Sequence, residues 1–249
     1  QREGQNDHSR QQYGRTAQKC QNEIFHGALG LIFGISSPLT ALSWVFLVCR
    51  PGASREGRAL IDMHVHLFPA PVFRAIWRFF ESSSNGLWNI RYRLHGDDHV
   101  RHLEEQGIRK FTGLLYAHKP CMADSLNDFM AESAQRYSGL LPFGTIYAAD
   151  GDVAARSRRI FEDYGFYGIK LHPFVSREQL DDRGFYPAYE MMEGLGRVLV
   201  CHPASAPVYD ATDGARRISN ILSDFPGLRI VVAHCGAFET REYLELADR

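Results

Sequence analysis

From residue 59 onward, short apolar runs rich in β-forming residues alternate with stretches of helical periodicity. The apolar runs lie at 59–66, 111–116, 141–147, 166–171, 198–201 and 229–233. Between them lie amphipathic stretches, most of which end at or just before a glycine, a usual C-terminal signal of a helix. These stretches cover 71–80, 98–106, 123–137, 152–164, 186–193 and 213–225. Strands that alternate with helices predict an α/β fold with a parallel sheet.

The succession of these units favours a TIM (β/α)8 barrel over an open sheet, since each apolar run and its helix make one βα unit. No glycine-rich phosphate-binding loop follows any predicted strand, which argues against an open nucleotide-binding sheet. A helix-like stretch, 239–247, closes the sequence at Arg249. We therefore expect an incomplete barrel of about six βα units, with strands seven and eight missing.

Residues 1–58 do not share this pattern, and we predict that they form an extension outside a barrel domain of residues 59–249. Residues 1–26 are polar and rich in glutamine, which indicates disorder. Residues 27–49 carry no charge and are long enough to span a bilayer, although Ser36-Ser37-Pro38 interrupts them. They fit a membrane anchor, an apolar helix packed into a domain, or non-native sequence upstream of the true start. We favour non-native sequence, because length is the only property of this segment that fits a membrane span.

Composition narrows the class of partner. The chain has 45% hydrophobic and 23% charged residues and a net charge of -1, so no global basic field is present to bind nucleic acid. The five cysteines form no CxxC pair, which argues against a disulfide framework and a thiolate zinc site and suits a reducing compartment. We expect a cytoplasmic protein with a small-molecule substrate and no membrane partner. Homo-oligomerisation stays open.

Histidines stand at the ends of four predicted strands. In the first strand, alternation of side chains places His64 and His66 on the same face. The fourth, fifth and sixth strands end in His172, His202 and His234. The carboxyl ends of barrel strands meet at one mouth, where active sites lie, and histidine is the commonest metal ligand. The sequence therefore predicts a metal site at this mouth.

The segments IDMHVHLFP, GIKLHP, CHPA and IVVAHCGA, in this order, resemble the amidohydrolase superfamily over about residues 59–249. They are most similar to the amidohydrolase 2 branch, which includes aminocarboxymuconate-semialdehyde decarboxylase and its relatives. The resemblance implies a divalent metal held by His64, His66 and His202. It also implies that His234 is the catalytic histidine beside the metal-bound water. We expect zinc, because the implied ligands are imidazoles and a carboxylate.

The same resemblance leaves the reaction open, because hydrolases and decarboxylases of this branch share their ligands. The breadth of the superfamily favours a hydrolase, in which metal-bound water attacks a C–O or C–N bond of a small carboxylated or cyclic substrate. A metal-dependent non-oxidative decarboxylase is the alternative. An inactive truncated or membrane-tethered scaffold and a TatD-like nuclease are alternatives of other classes. The family's metal-binding Asp after strand eight has no counterpart here, so we expect an incomplete catalytic set.

Three further residues are candidates for substrate binding. Lys170 shares a strand face with His172, and both are expected to point into the barrel. In binuclear relatives a lysine on strand four is carbamylated and bridges two metals, but the resembled branch usually holds one metal, so a substrate-facing role is favoured for both residues. Arg91 lies in a stretch of aromatic residues and arginines, 87–93, and its guanidinium suits a substrate carboxylate. A packed loop with solvated arginines is nevertheless the favoured interpretation of this stretch.

Overall fold

The computed structural model of the protein describes residues 60–83, 90–203 and 213–247. The predictions for residues 1–58, including the uncharged segment 27–49, lie outside these ranges. Within them, no helix combines the length and the apolar character that a membrane crossing requires.

Six parallel strands form one sheet in chain order. The strands are β1 Leu60–His66, β2 Ile108–Leu114, β3 Leu140–Gly144, β4 Gly168–Leu171, β5 Val198–Cys201 and β6 Arg229–Val232. Each strand pairs with the next along the chain, as in a TIM barrel. The sheet curls into a half-barrel with its helices, which confirms the predicted fold class.

Eight α-helices connect or follow the described strands: α1 Ala70–Ser83, α2 Gly96–Glu105, α3 Ala123–Arg136, α4 Val153–Arg158, α5 Pro173–Ser176, α6 Tyr186–Gly194, α7 Gly214–Asp224 and α8 Thr240–Ala247. A π-helical turn, Arg159–Asp163, continues α4. Three 3-10 turns cover Ala148–Asp150, Arg183–Phe185 and Ala233–Glu239.

The second strand begins earlier than its apolar run at 111–116 suggested. Gly107 adopts a left-handed conformation with φ of 82° directly after α2, and the chain enters β2 at Ile108. The exposed side chains of Arg109 and Lys110 occupy the start of the strand. Hydrophobicity alone could not find these residues, because they pair through their backbone while their side chains remain in water.

The main core lies between the sheet and the helices. Ile169 and Leu199 from the strands pack there with Met192 and Ile218 from α6 and α7, and all four are fully buried. A second, smaller cluster lies on the other face of the sheet and consists of Leu114, Phe143 and Val200. Strands covered on both faces are typical of parallel sheets.

Register places Lys170 on the same face as this second cluster. Ile169 and Leu171 belong to the main core, so the side chain between them points the other way. Lys170 also pairs with Val200, a member of the smaller cluster. The residues two positions further along each strand, His172 and His202, follow the same alternation and meet at the carboxyl ends of the strands.

Candidate metal centre

Five histidines and one tyrosine form a closed ring of aromatic side chains at the carboxyl ends of the strands. Each ring centroid lies within 5.7 Å of the next. Around the ring, the distances are 5.1 Å for His64–His66, 5.7 Å for His66–Tyr116, 4.7 Å for Tyr116–His172, 4.3 Å for His172–His202, 4.9 Å for His202–His234 and 5.0 Å for His234–His64. The structure thus brings together every histidine that the sequence predicted at the mouth.

Local backbone interactions position the ring members. The backbone N–H of His64 donates to Asp62 Oδ1 over 2.9 Å, where the register of β1 against β2 shifts between Asp62 and Val65. The backbone N–H of His202 donates to the carbonyl of Leu171 over 3.2 Å, which extends the β4–β5 ladder to the ring. These hydrogen bonds hold the backbone in place and so direct the side chains in the absence of a ligand.

Several ring nitrogens have no hydrogen-bond partner although the atoms are buried: His64 Nε2, His66 Nδ1, His172 Nδ1 and His202 Nε2. Buried polar atoms normally have partners, so these orphaned nitrogens indicate a missing ligand. His66 also makes a hydrogen bond with the backbone of Leu114. Metal-binding histidines commonly use one nitrogen in this way and leave the other for the ion. The residues therefore have the chemistry that a divalent metal requires.

The donor atoms do not yet converge on one point. Among the described residues, no group of three His, Cys, Asp or Glu side chains is arranged to hold a metal ion. Metal binding would thus require the imidazoles to turn about their side-chain bonds.

Removal from water keeps these imidazoles neutral. Desolvation, followed by repulsion from neighbouring positive groups, lowers the pKa of His66 to about 3 and that of His202 to about 2. The pKa values of His64 and His172 are also lowered, first by desolvation. Only the neutral imidazole has a lone pair for a metal, so the environment maintains the form that binds.

Lys170 is fully buried beside this ring, and its Nζ has no hydrogen-bond partner. Desolvation lowers the pKa of its amine to about 8, so the amine is still mostly charged at neutral pH. Its charge also lowers the pKa values of His64, His66, His172 and His202. A buried ammonium without a partner is costly, and a bound anion would relieve that cost.

Tyr116 is the ring member that sequence patterns missed. It follows β2 and is buried, with its ring between His66 and His172. Burial raises the pKa of its hydroxyl, which therefore remains protonated. Its position in the sequence could have identified it, because Tyr116 ends an apolar run, and four of the other apolar runs end in histidine.

Ring members differ in their access to solvent. His172 is buried, His64, His66 and His202 are half-buried, and His234 is exposed. A cleft of about 410 Å³ opens beside β1, with Asp62, His64 and His66 among its lining residues and the stacked rings of Phe73 and Trp77 on the side of α1. Arg91 is exposed, in contrast to Lys170 and His172, and its role in substrate binding stays a prediction.

Comparisons with known proteins identify a matching family and several relatives. Residues 61–249 match the family model for amidohydrolases. A dihydroorotase from Novosphingobium aromaticivorans is 24% identical over 176 residues, which cover 60% of this chain and 51% of that protein. The chain thus spans about half the length of this curated relative.

Solved structures share the fold. A 5-carboxyvanillate decarboxylase from N. aromaticivorans, complexed with manganese and 4-hydroxy-3-methoxy-5-nitrobenzoic acid, has a TM-score of 0.59 and 18% identity over 77% of this chain and 69% of its own. A dihydroxybenzoic acid decarboxylase from Polaromonas sp. JS666, with manganese and 2-nitroresorcinol, has a TM-score of 0.54 and 19% identity over 74% and 68%. The family match over residues 61–249, together with this barrel fold, shows that the chain belongs to the amidohydrolase family.

Proposed function

We propose that this chain supplies the metal-binding histidines of a divalent-metal-dependent enzyme that removes CO2 from a small carboxylated substrate. The observation that carries the proposal is the buried, unpartnered ammonium of Lys170 beside a ring of neutral imidazoles. With a divalent ion on the histidines, the site would hold two positive centres, the ion and the ammonium of Lys170. Such a site favours an anionic substrate.

By their place in the family's motifs, His64, His66 and His202 would hold the metal, and each presents a buried nitrogen without a partner. The ion would supply a positive charge that stabilises negative charge on the substrate as CO2 leaves. Both named decarboxylases of the same fold are complexed with manganese. They therefore do not support the prediction of zinc from the sequence. We therefore propose a divalent metal and leave its identity to direct measurement.

The remaining residues have separate roles in this proposal. Lys170 binds an anionic group of the substrate, and His172 lies against the substrate from the same strand. The bond between the carboxyl carbon and the substrate breaks, its electron pair stays on the substrate carbon, and a proton from solvent reaches that carbon by way of His234, whose pKa is lowered by burial and by the charge of Lys170. His234 is more exposed than the other histidines of the ring, which suits a group that meets the substrate. Arg91 is a candidate for a second contact to the anion.

Hydrolysis of a C–O or C–N bond is the second candidate, and the dihydroorotase relative favours it. The same histidines would hold the metal, and His234 would move the proton of the attacking water. The two reactions differ in their product, because only decarboxylation releases CO2.

The test uses the full-length protein, loaded in turn with Mn²⁺ and with Zn²⁺. A panel of carboxylated phenols is assayed for CO2 release, and a panel of lactones and cyclic amides is assayed for ring opening. We expect CO2 release that is lost in His234→Asn but retained in the surface variant His95→Asn. Ring opening without CO2 release would replace the first candidate with the second, and no metal-dependent turnover in either panel would support an inactive scaffold.

A further inference from the structure

We propose that Glu239 is a positioning residue, which holds His234 in place by clamping the turn after β6 onto the start of α7. The inference rests on the proposed function in one respect, namely that His234 acts on the substrate. The clamp itself depends only on backbone conformation, hydrogen bonds and packing.

The turn that carries His234 has a strained backbone. His234, Cys235 and Gly236 are consecutive residues with φ values of 55°, 52° and 75°. The left-handed region is comfortable for glycine but costly for residues with a side chain. Such conformations persist only where the surroundings determine them, and they cluster at functional sites. The surroundings of this turn should therefore contain the contacts that hold it.

Glu239 provides the first of these contacts. It ends the 3-10 turn Ala233–Glu239 and is only 3% exposed. Its Oε2 accepts from the backbone N–H of Gly214 over 3.1 Å, and its Oε1 accepts from that of Ala215 over 3.4 Å. These two N–H groups begin α7 and have no partner inside the helix. The carboxylate also meets the positive end of the helix dipole.

Tyr243 provides the second contact, from the first turn of α8. It is fully buried, and a Cβ added at Gly236 would overlap its ring. A Cβ added at Gly214 would lie 2.6 Å from its hydroxyl oxygen and 2.8 Å from Glu239 Oε2. Tyr243 thus fills the space between the two glycines, and the clamp can close only because both lack a side chain.

The consequence concerns the relative position of two ring members. The helix α7 follows the strand that carries His202, and the clamped turn carries His234, whose ring lies 4.9 Å from that of His202. Glu239 acts in this arrangement by fixing the backbone from which His234 projects. Loss of the clamp should therefore change turnover more than metal binding.

The test compares Glu239→Gln with Glu242→Gln, an exposed glutamate of α8, in the full-length metal-loaded protein. Glutamine keeps one acceptor and turns an NH2 group toward the other backbone N–H, so half of the clamp is lost. We expect hydrogen exchange at residues 234–236 and at Gly214 and Ala215 to accelerate at least about tenfold in Glu239→Gln only. We also expect kcat to fall about tenfold or more, with KM and metal content within about twofold of wild type.

A second variant, Gly214→Ala, wedges a methyl group into the clamp from the α7 side and should reproduce both effects if Glu239→Gln fails to fold. Faster exchange confined to Gly214 and Ala215, with exchange at 234–236 unchanged, would overturn the clamp and leave an ordinary helix cap. If His234→Asn leaves turnover unchanged, the proposed function fails, whereas the exchange at 234–236 still decides the clamp.

Discussion

The imidazole rings of His64 and His234 lie 5.0 Å apart, although β1 and β6 form opposite edges of the six-stranded sheet. In a flat sheet, strands five positions apart would be separated by about 24 Å, since neighbours lie roughly 4.8 Å apart. The contact therefore requires the sheet to curl and to bring its first and last carboxyl ends together. The curvature of the sheet therefore brings histidines that are distant in the sequence into one site.

Replacement of Lys170 by methionine should stabilise the fold but weaken substrate binding. Methionine keeps much of the volume and removes the buried ammonium, so we expect the metal-free protein to gain about 1–3 kcal/mol in the free energy of unfolding. The KM for an anionic substrate should rise about 10-fold to 100-fold, because a charge-assisted hydrogen bond is lost. Urea denaturation and steady-state kinetics measure the two effects.

Lys119→Met, at an exposed position, is the matched control and should change neither quantity. A structural role for Lys170 would instead make Lys170→Met less stable, and that result would remove the lysine from the substrate site.

The metal-free protein should lose stability as the pH falls below about 6.5. In the unfolded chain His66 and His202 take up protons near their ordinary pKa of 6.5, whereas in the folded protein they stay neutral down to about pH 3 and pH 2. The unfolded state then binds more protons, so acid shifts the equilibrium toward it. Urea midpoints between pH 7.5 and pH 5 measure this slope.

A double variant, His66→Asn with His202→Asn, serves as the comparison for this pH effect. Its stability should depend less steeply on pH over the same interval. Equal slopes in the variant and the wild type would contradict the lowered pKa values of these two histidines in the folded protein.

The β4–β5 pairing can be tested through Gly168. A Cβ added there would overlap the carbonyl oxygen of Val198 and lie 2.5 Å from Phe143 Cε1, so Gly168→Ala should cost about 1–3 kcal/mol of stability. Gly194, at the end of α6, has no atom within 4 Å of an added Cβ. Gly194→Ala should be neutral or stabilising by up to about 1 kcal/mol. Thermal unfolding of both variants measures the difference, and equal losses would contradict the register.

Local patterns in the sequence were sufficient to predict the helices and strands and to predict which residues share a face of a strand. Alternation placed Lys170 and His172 on one face, and the register of β4 with β5 agrees. Glycine signals likewise marked most helix ends. These features depend on neighbours within a few residues, which is the range over which sequence patterns carry information.

Features that depend on distant contacts were beyond such patterns. The left-handed turn at His234 is held by Glu239, Gly214 and Tyr243, which come from three different elements. Tyr116 enters the ring only because the curled sheet brings the carboxyl ends of β2 and β4 together, although β3 lies between these strands. The start of β2 was also misplaced, because its polar residues pair through the backbone alone.

Metal stoichiometry tests the central claim, that His64, His66 and His202 bind a divalent ion, most directly. The full-length protein is stripped with a chelator, reconstituted with Mn²⁺ or Zn²⁺, dialysed, and analysed by elemental mass spectrometry beside His64→Asn, His202→Asn and the exposed control His95→Asn. We predict that wild type and His95→Asn retain stoichiometric metal, whereas His64→Asn and His202→Asn lose it. Wild-type metal content in both His64→Asn and His202→Asn would contradict the assignment of these histidines as ligands.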